Sequence, residues 1–359
     1  MCNLFRRLTL SLLVGISALV FTAISINTAF AIEPVEVAKL MASDGAADDY
    51  FGNAVALDGD TAVIGAYGDD EGAGSAYVFR WDGATWVEHK LTASDGAADD
   101  YFGFYSVALD GDTAVIGATG DDDLGDRSGS AYVFRWDGAT WIEHKLTASD
   151  GAAYDLFGSS VAVAGDTAVI GAYGDDEGAG SAYVFRWDGA TWVEHKLTAS
   201  DGAADDRFGY SVAVDGNTAV IGAAGDDDLG ISSGSAYVFR WDGATWVEHK
   251  LTASDGAAYD RFGEAVALDG NTAVIGAAGF TNSAGSAYVF VRDGTTWTEQ
   301  AKLTASDGAA YDYFGEAVAL DGDTVVIGAY RDDDLGDDSG SAYVFVPSDV
   351  IFSSSFEGP

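Results

Sequence analysis

Residues 198–230, TASDGAADDRFGYSVAVDGNTAVIGAAGDDDLG, recur in close copies along a chain of 359 residues. Each copy carries one Phe-Gly pair, and the six pairs begin at Phe51, Phe102, Phe157, Phe208, Phe262 and Phe314. A unit of about 50 residues without disulfides or metals buries too little core to stand alone. The period therefore indicates a repeat architecture in which neighbouring units share their cores.

The fourth copy predicts four short β-strands separated by turn signals. Apolar and β-branched runs cover residues 210–214, 218–223, 235–241 and 245–252, and Asp-Gly pairs lie in the first and third connections. Asp-Gly between apolar runs is a strong hairpin signal. Four antiparallel strands in each of six repeats of this length are typical of a six-bladed β-propeller, an all-β fold.

The two ends of the chain favour ring closure. Residues 35–42, VEVAKLMA, match the fourth strand of the repeat, and the last copy stops after its third strand at Val346. We therefore expect the N-terminal strand to complete the last blade, which leaves fewer exposed sheet edges. The propeller then spans residues 32–346, and residues 347–359 form a C-terminal tail.

The first 31 residues read as a secretory signal peptide. Arg6 and Arg7 precede an apolar run over residues 8–21, and Ala29-Phe30-Ala31 is a small-x-small cleavage pattern. An uncleaved membrane anchor is the alternative. Cys2 is the only cysteine, so cleavage after Ala31 leaves a chain without thiols. The expected location is outside the cell or on its surface, with no membrane insertion after cleavage.

The charge is strongly negative, with 17 Lys+Arg against 58 Asp+Glu and a formal net charge of -41. This balance argues against nucleic acid and anionic lipid as partners, because both require basic contacts. It fits cation binding, a basic partner or solubility alone.

Strand parity predicts where the acid lies. Connections after strands one and three are tight turns, whereas those after strands two and four are long and acidic. Successive connections of an antiparallel sheet alternate between its two ends, so both acidic kinds should emerge on one face of the ring. We name this surface the acidic loop face.

Calcium is the natural candidate ion for this face, since it takes 6–8 hard oxygen ligands. The alternative is that the aspartates form turns and keep the chain soluble. The fifth copy, GFTNSAGS, has lost its acid at this loop and predicts the weakest site. The candidate ligands are Asp99, Asp100, Asp121, Asp122, Asp123, Asp205, Asp206, Asp226, Asp227, Asp228, Asp332, Asp333 and Asp334.

The pattern FGYSVAVDGNTAVIGAAGDDDLG…SGSAYVF resembles the FG-GAP repeat of integrin α-chain propellers and of secreted bacterial proteins, whose bacterial subgroup is nearest. The integrin repeats imply a calcium loop between strands one and two. Here that connection is only Asp58-Gly59-Asp60-Thr61, too short to wrap an ion, so that site does not carry over. The integrin family also implies seven blades, whereas this chain supports six.

No residue set marks a catalytic centre. The four histidines, His89, His144, His195 and His249, share one repeat position on the outer strand and cannot converge on one metal. We therefore expect a monomeric, non-catalytic protein that binds an extracellular protein or glycan through the acidic loop face, with assistance from Ca²⁺. The alternatives are a hydrolase or lyase acting on polysaccharide in the central channel, and a purely structural matrix protein.

Overall fold

The computed structural model describes residues 38–279 and 283–347. The chain divides into two compact units, residues 1–39 and 40–359. The first unit is described only at Ala38 and Lys39, which have no regular secondary structure. The predicted signal peptide and nearly all of the predicted tail lie outside the described residues. Within the described ranges, no helix combines the length and the apolar character that a membrane crossing requires.

The second unit is built from six antiparallel sheets that follow one another along the chain as the blades of a propeller. Blade 1 contains β1 (Val55–Asp58), β2 (Thr61–Ala66), α1 (Asp69–Gly72), β3 (Ser75–Trp81) and β4 (Trp86–Leu91). Blade 2 contains β5 (Phe102–Asp110), β6 (Thr113–Ala118), β7 (Ser130–Trp136) and β8 (Trp141–Leu146). Blade 3 contains β9 (Ser160–Ala164), β10 (Thr167–Ala172), α2 (Asp175–Gly178), β11 (Ser181–Trp187) and β12 (Trp192–Leu197).

The remaining blades repeat this order. Blade 4 contains β13 (Phe208–Asp215), β14 (Thr218–Ala223), β15 (Ser235–Trp241) and β16 (Trp246–Leu251). Blade 5 contains β17 (Val266–Asp269), β18 (Thr272–Ala277), β19 (Ser286–Asp293) and β20 (Thr296–Leu303). Blade 6 contains β21 (Ala317–Asp321), β22 (Thr324–Ala329) and β23 (Ser341–Phe345). The predicted all-β propeller with six blades is confirmed, and the strands predicted in the fourth copy agree with β13–β16.

The cores lie between blades, which explains the Phe-Gly pair. Phe208 is fully buried, with its ring edge-on to Tyr237 at 5.3 Å and to Phe239 at 5.9 Å between centroids. These rings pack against Val169 and Val184 of the preceding blade. Each blade thus buries one apolar face on its neighbour, as units too small to fold alone must do.

Glycine is required where neighbouring blades approach most closely. A Cβ on Gly171, in the second strand of blade 3, would lie 2.0 Å from the carbonyl oxygen of Gly209 in the next blade. Gly209 itself has φ +92°, a left-handed conformation that glycine adopts without strain. The Gly of the Phe-Gly pair and the Gly of TAVIGA are therefore the two residues that meet in one inter-blade contact.

Blade 6, at the end of the blade series, leaves apolar side chains exposed. Val326 and Val344 of blade 6 are 37% and 66% exposed, whereas the corresponding Val220 and Val238 of blade 4 are 0% and 1% exposed. Leu40 and Ala42 pack against the buried cluster of blade 1. Of the predicted closing strand, residues 35–37 lie outside the described residues and 38–42 have no regular secondary structure. Closure of blade 6 by this segment stays a prediction.

Candidate functional site: the lysine–carboxylate clusters of the acidic loop face

The two kinds of acidic loop meet at one end of the blades. The loop that enters each blade lies against the loop between that blade's second and third strands. Gly120 N donates to Asp100 O at 3.0 Å, and Gly225 N donates to Asp206 O at 3.0 Å. The acidic loop face that strand parity predicts is therefore present in the structure.

Blade 2 shows how the acids on this face are arranged. The Lys145 ammonium lies 2.8 Å from Asp95 Oδ2, 2.8 Å from Asp121 Oδ2 and 2.7 Å from Asp123 Oδ2. The Tyr132 hydroxyl donates to Asp95 Oδ1 at 2.8 Å and lies 3.1 Å from Asp121 Oδ2. We name this arrangement a lysine–carboxylate cluster. It joins two loops to the third and fourth strands of one blade.

The strand register places the lysine ammonium beside the tyrosine ring. In blade 2 the pairing of β7 with β8 sets Tyr132 opposite Lys145, with the ammonium 5.3 Å from the tyrosine ring centroid. Tyr132 is fully buried, so its ring fixes the lysine stem beside the loop end of the sheet. The repeated sequences SAYVF and EHKL therefore supply one tyrosine and one lysine at this position.

The cluster recurs with a regular variation. Blade 4 copies blade 2, with Lys250 at 2.8 Å from Asp201, 2.8 Å from Asp226 and 2.6 Å from Asp228. The shorter loops of blades 1 and 3 form the four-residue turns α1 and α2 and leave two carboxylates at each lysine. In blade 5, Lys302 pairs with Asp255 at 2.7 Å. The loss of acid in GFTNSAGS thus gives the simplest cluster.

Blade 6 has the acids and the tyrosine but no described fourth strand to carry a lysine. The Tyr343 hydroxyl lies within hydrogen-bond distance of two carboxylates, 2.9 Å from Asp307 Oδ1 and 2.7 Å from Asp332 Oδ2. The negative charges of Asp332 and Asp307 raise the pKa of Asp334. This blade shows the repulsion that the lysines relieve in the others.

The titration of blade 2 reflects the same balance. Burial opposes ionisation of Asp95, but hydrogen bonds from Lys145 and Tyr132 outweigh it and lower the pKa of the carboxyl. Burial also opposes the charge on Lys145, yet its three carboxylate partners raise the pKa of the ammonium. The cluster therefore holds fixed opposite charges at neutral pH.

Clusters of this kind could bind a metal ion, since two of them bring three carboxylate oxygens within 4.8 Å of one another: Asp95, Asp121 and Asp123, and Asp201, Asp226 and Asp228. The oxygens suit Ca²⁺ in kind. They are, however, the carboxylates that already surround Lys145 and Lys250. The donor set therefore does not fit a resident Ca²⁺ while the lysine is in place.

The structure separates the thirteen predicted ligands by role. Asp121, Asp123, Asp226 and Asp228 meet a lysine, and Asp332 and Asp334 lie in the blade 6 acids. Asp122, Asp227 and Asp333 turn back to accept backbone N–H groups of their own loops, from Arg127, Ser232 and Asp338. Asp100 and Asp206 accept N–H groups from Ala97 and Ala203, and Asp99 and Asp205 have positive φ at turns.

Sequence reasoning missed half of each cluster. The candidate ligands did not include Asp95 or Asp201, and the sequence predicted no role for the lysines or the tyrosines. The available signal was the lysine of EHKL, which recurs one strand after the tyrosine of SAYVF. The histidines do lie apart, as predicted: the His89 ring contacts Trp136 of the next blade at 5.0 Å between centroids.

A cavity lies at the centre of the propeller, apart from the lysine–carboxylate clusters. The first strands of blades 2–6 line a cavity of about 770 Å³. Its lining includes Glu264, which is 5% exposed.

The fold and the clusters together define a repeat propeller in which ion pairs connect the acidic loops to the fourth strand in blades 1–5. The FG-GAP repeat model matches six segments, residues 34–79, 86–134, 141–185, 192–239, 246–290 and 297–345. The chain belongs to the FG-GAP repeat family. Its fold is consistent with a binding or structural role. The first match begins at residue 34, so residues 34–42 take the place that β4 takes in the second match.

Proposed function

We propose that this protein is secreted and acts as a non-catalytic binding protein that recognises an extracellular protein or glycan through the acidic loop face. The observation that carries the proposal is the combination of exposed acid and fixed loops. Asp122 and Asp227 are exposed at the loop tips, while Asp121 and Asp226 beneath them are buried in lysine–carboxylate clusters.

Fixed loops favour binding because little conformational entropy is lost when a partner docks. A face with an excess of negative charge also raises the association rate of a basic partner, and salt weakens this effect. The formal net charge of -41 extends the same field over the whole molecule.

An array of extracellular proteins and glycans, read at low and high salt, tests the proposal. The informative variant is the double substitution Asp122→Asn and Asp227→Asn, because asparagine keeps the oxygen that accepts the loop N–H and removes the charge. The matched control is Asp137→Asn with Asp242→Asn. These residues are also exposed turn aspartates that accept backbone N–H groups, but they lie at the opposite end of the blades, where each Oδ1 accepts two N–H groups.

We expect the first variant to weaken binding and the control to leave it unchanged. A partner whose affinity responds equally to both variants, or no array partner at all, would count against the acidic loop face as the binding surface.

Ca²⁺ is the divalent ion that we propose as an aid, on the condition that it displaces Lys145 or Lys250. Calorimetry with Ca²⁺ and thermal unfolding with EDTA test this part. An unchanged melting temperature and no heat of binding would remove Ca²⁺ from the proposal.

A polysaccharide hydrolase or lyase is the second candidate, favoured by one observation. Burial and the nearby charge of Glu316 raise the pKa of Glu264 to about 7, and both carboxyls line the central cavity. Two carboxyls with unequal pKa values are the usual equipment of glycoside hydrolysis. Release of reducing ends from any polysaccharide, abolished by Glu264→Gln, would favour this candidate over binding alone.

A further inference from the structure

The blades are near copies of one another, but a few positions around the channel differ from blade to blade. TAVIGA is identical in blades 1–5 and reads TVVIGA in blade 6. The residue after the Phe-Gly pair, in contrast, is Asn53, Phe104, Ser159, Tyr210, Glu264 and Glu316 in turn. Repeat positions that serve the common fold keep one residue type. The diversified positions therefore serve something that the six blades do not share.

These diversified residues line the central cavity. Its wall includes Phe104, Ser159, Tyr210, Glu264 and Glu316, one from each of blades 2–6. The volume of about 770 Å³ lies in the range of sites for small organic ligands, about 300–1,000 Å³. Three neighbouring serines on the wall, Ser106, Ser160 and Ser211, instead donate to carbonyls of the next blade at 2.6, 2.8 and 2.9 Å.

One side of the channel is aromatic. The Phe104 ring lies 4.6 Å from Tyr67 of blade 1 and 4.0 Å from Tyr105, measured between centroids. Tyr67 in turn stacks on Tyr50 at 4.9 Å with an interplanar angle of 6°. Tyr105 and Tyr50 are 68% and 56% exposed. Phe104 and Tyr105 line the cavity, so blade 2 presents open ring surface to the channel.

The other side carries opposite charges. Glu264 of blade 5 forms an ion pair with Arg261, and within the described residues its Oε2 has no hydrogen-bond partner. The Glu264 side chain is only 3% exposed. The Arg261 guanidinium lies 5.7 Å from the ring centroid of Tyr210. A carboxylate oxygen that is buried against the cavity wall without a donor is an incomplete site, since burial without a hydrogen bond is unfavourable.

The charges decide the class of ligand. On the cavity wall, Arg127 opposes a cationic ligand, and Glu264 and Glu316 oppose an anionic one. Hydroxyl groups satisfy both kinds of charge, because they donate to a carboxylate and accept from a guanidinium. The apolar faces of sugar rings pack on aromatic side chains. Phe104 of blade 2 and Glu264 of blade 5 line the same cavity, so one ligand can meet both sides.

We propose that the central channel binds an uncharged saccharide, with a sugar ring on the aromatic side formed by Phe104 and Tyr105 of blade 2 and its hydroxyls at Glu264. This site is distinct from the lysine–carboxylate clusters and does not depend on the acidic loop face as a binding surface.

Calorimetric titration with neutral oligosaccharides of two to six units, from glucan, galactan, mannan and xylan, tests the proposal. Tyr210→Ser and Glu264→Ser are the informative variants, because Ser159 shows that this repeat position accepts serine. Tyr210→Ser turns the blade 4 sequence into the Phe-Gly-Ser-Ser of blade 3. Val247→Ser, at a 53% exposed position on the outer strand, is the control.

We expect at least one oligosaccharide to bind the wild type and the control equally, and to bind each channel variant at least tenfold more weakly. Binding should be unchanged by salt and by the double substitution Asp122→Asn and Asp227→Asn, which separates this site from the acidic loop face. Tryptophan emission should also stay constant, because no tryptophan lines the cavity and most of them lie in pairs on the outer hairpins.

Three results would overturn the proposal: no binding by any of the oligosaccharides, equal binding by both channel variants and the wild type, or binding that shifts tryptophan emission and so lies on the outer rim.

Discussion

Replacing Lys145 with methionine removes the cation of the blade 2 cluster while keeping a side chain of similar length and apolar bulk. The change leaves Asp95, Asp121 and Asp123 without the ammonium that lies 2.7–2.8 Å from each. Their oxygens, within 4.8 Å of one another, then repel. We expect a marked loss of stability, and the burial of the three carboxylates sets its size.

Asp121 dominates the effect because its side chain is 5% exposed, against 45% for Asp95 and 60% for Asp123. Leaving one member of a buried pair uncompensated destabilises by about 3–5 kcal/mol. Lys145 is 20% exposed, so the lower end of that range applies. The two exposed pairs add at most about 1 kcal/mol each. We predict a loss of about 3–5 kcal/mol, or a Tm lower by roughly 5–8 °C for a domain of about 310 residues.

Lys302→Met in blade 5 is the matched control. Lys302 is 38% exposed and pairs with Asp255, which is 53% exposed, so its removal should cost no more than about 1 kcal/mol. Both ammonium groups lie over a tyrosine ring, at 5.3 Å and 5.2 Å, so that contact cancels in the comparison. Urea unfolding followed by circular dichroism measures both variants. Equal losses in the two would show that the buried carboxylate does not set the cost.

Four further outcomes follow from the same contacts. Ca²⁺ should raise the Tm of the Lys145→Met variant more than that of the wild type, because the carboxylates that lose the ammonium gain a cation. Differential scanning calorimetry with Ca²⁺ and with EDTA measures both shifts, and equal shifts would contradict Ca²⁺ binding at these carboxylates. The pKa of Glu264 is raised to about 7 from an ordinary 4.5, so the folded protein keeps a proton that the unfolded chain releases, and stability should fall as pH rises from about 4.5 to 7. Urea unfolding across that range should show a shallower fall for Glu264→Gln than for the wild type. Parallel curves would contradict a raised pKa at Glu264. Phe157→Ala, which empties a site 1% exposed, should destabilise by about 3–5 kcal/mol, whereas Val193→Ala at a 41% exposed position should change stability by less than about 1 kcal/mol in the same assay. A chain that begins at Ser43 should melt well below one that begins at Glu33, since residues 35–42 are predicted to complete blade 6; identical melting would exclude that strand from the ring.

The sequence predicted the strands well because their signals are local. TAVIGA is apolar after its threonine and forms a buried second strand in each of blades 1–5. Asp-Gly marks the third turn of these blades and the first turn of every blade except blade 3, which has Ala164-Gly165. It also predicted that both acidic loops share one face, since strand parity requires only the order of the strands. The four-residue turns α1 and α2 were not predicted, because they depend on left-handed residues such as Asp70 and Glu71, at φ 52° and 61°.

The composition of the clusters could not be predicted from the chain alone. Asp95 and Lys145 are 50 residues apart, and only the register of β7 on β8 and the packing of two loops bring them within 2.8 Å. A count of carboxylates therefore suggested an external cation, whereas the fold supplies an internal one.

The amino-acid sequence by itself determined the period, the number of repeats, the four strands of each blade and the end at which the acid gathers. These depend on the alternation of apolar runs and turns, which is written locally in every copy. Only the tertiary structure decided which aspartates are neutralised and which are free, and which unlike residues share the channel. Those outcomes depend on distances between segments from different blades, and the distances are fixed by strand register and inter-blade packing.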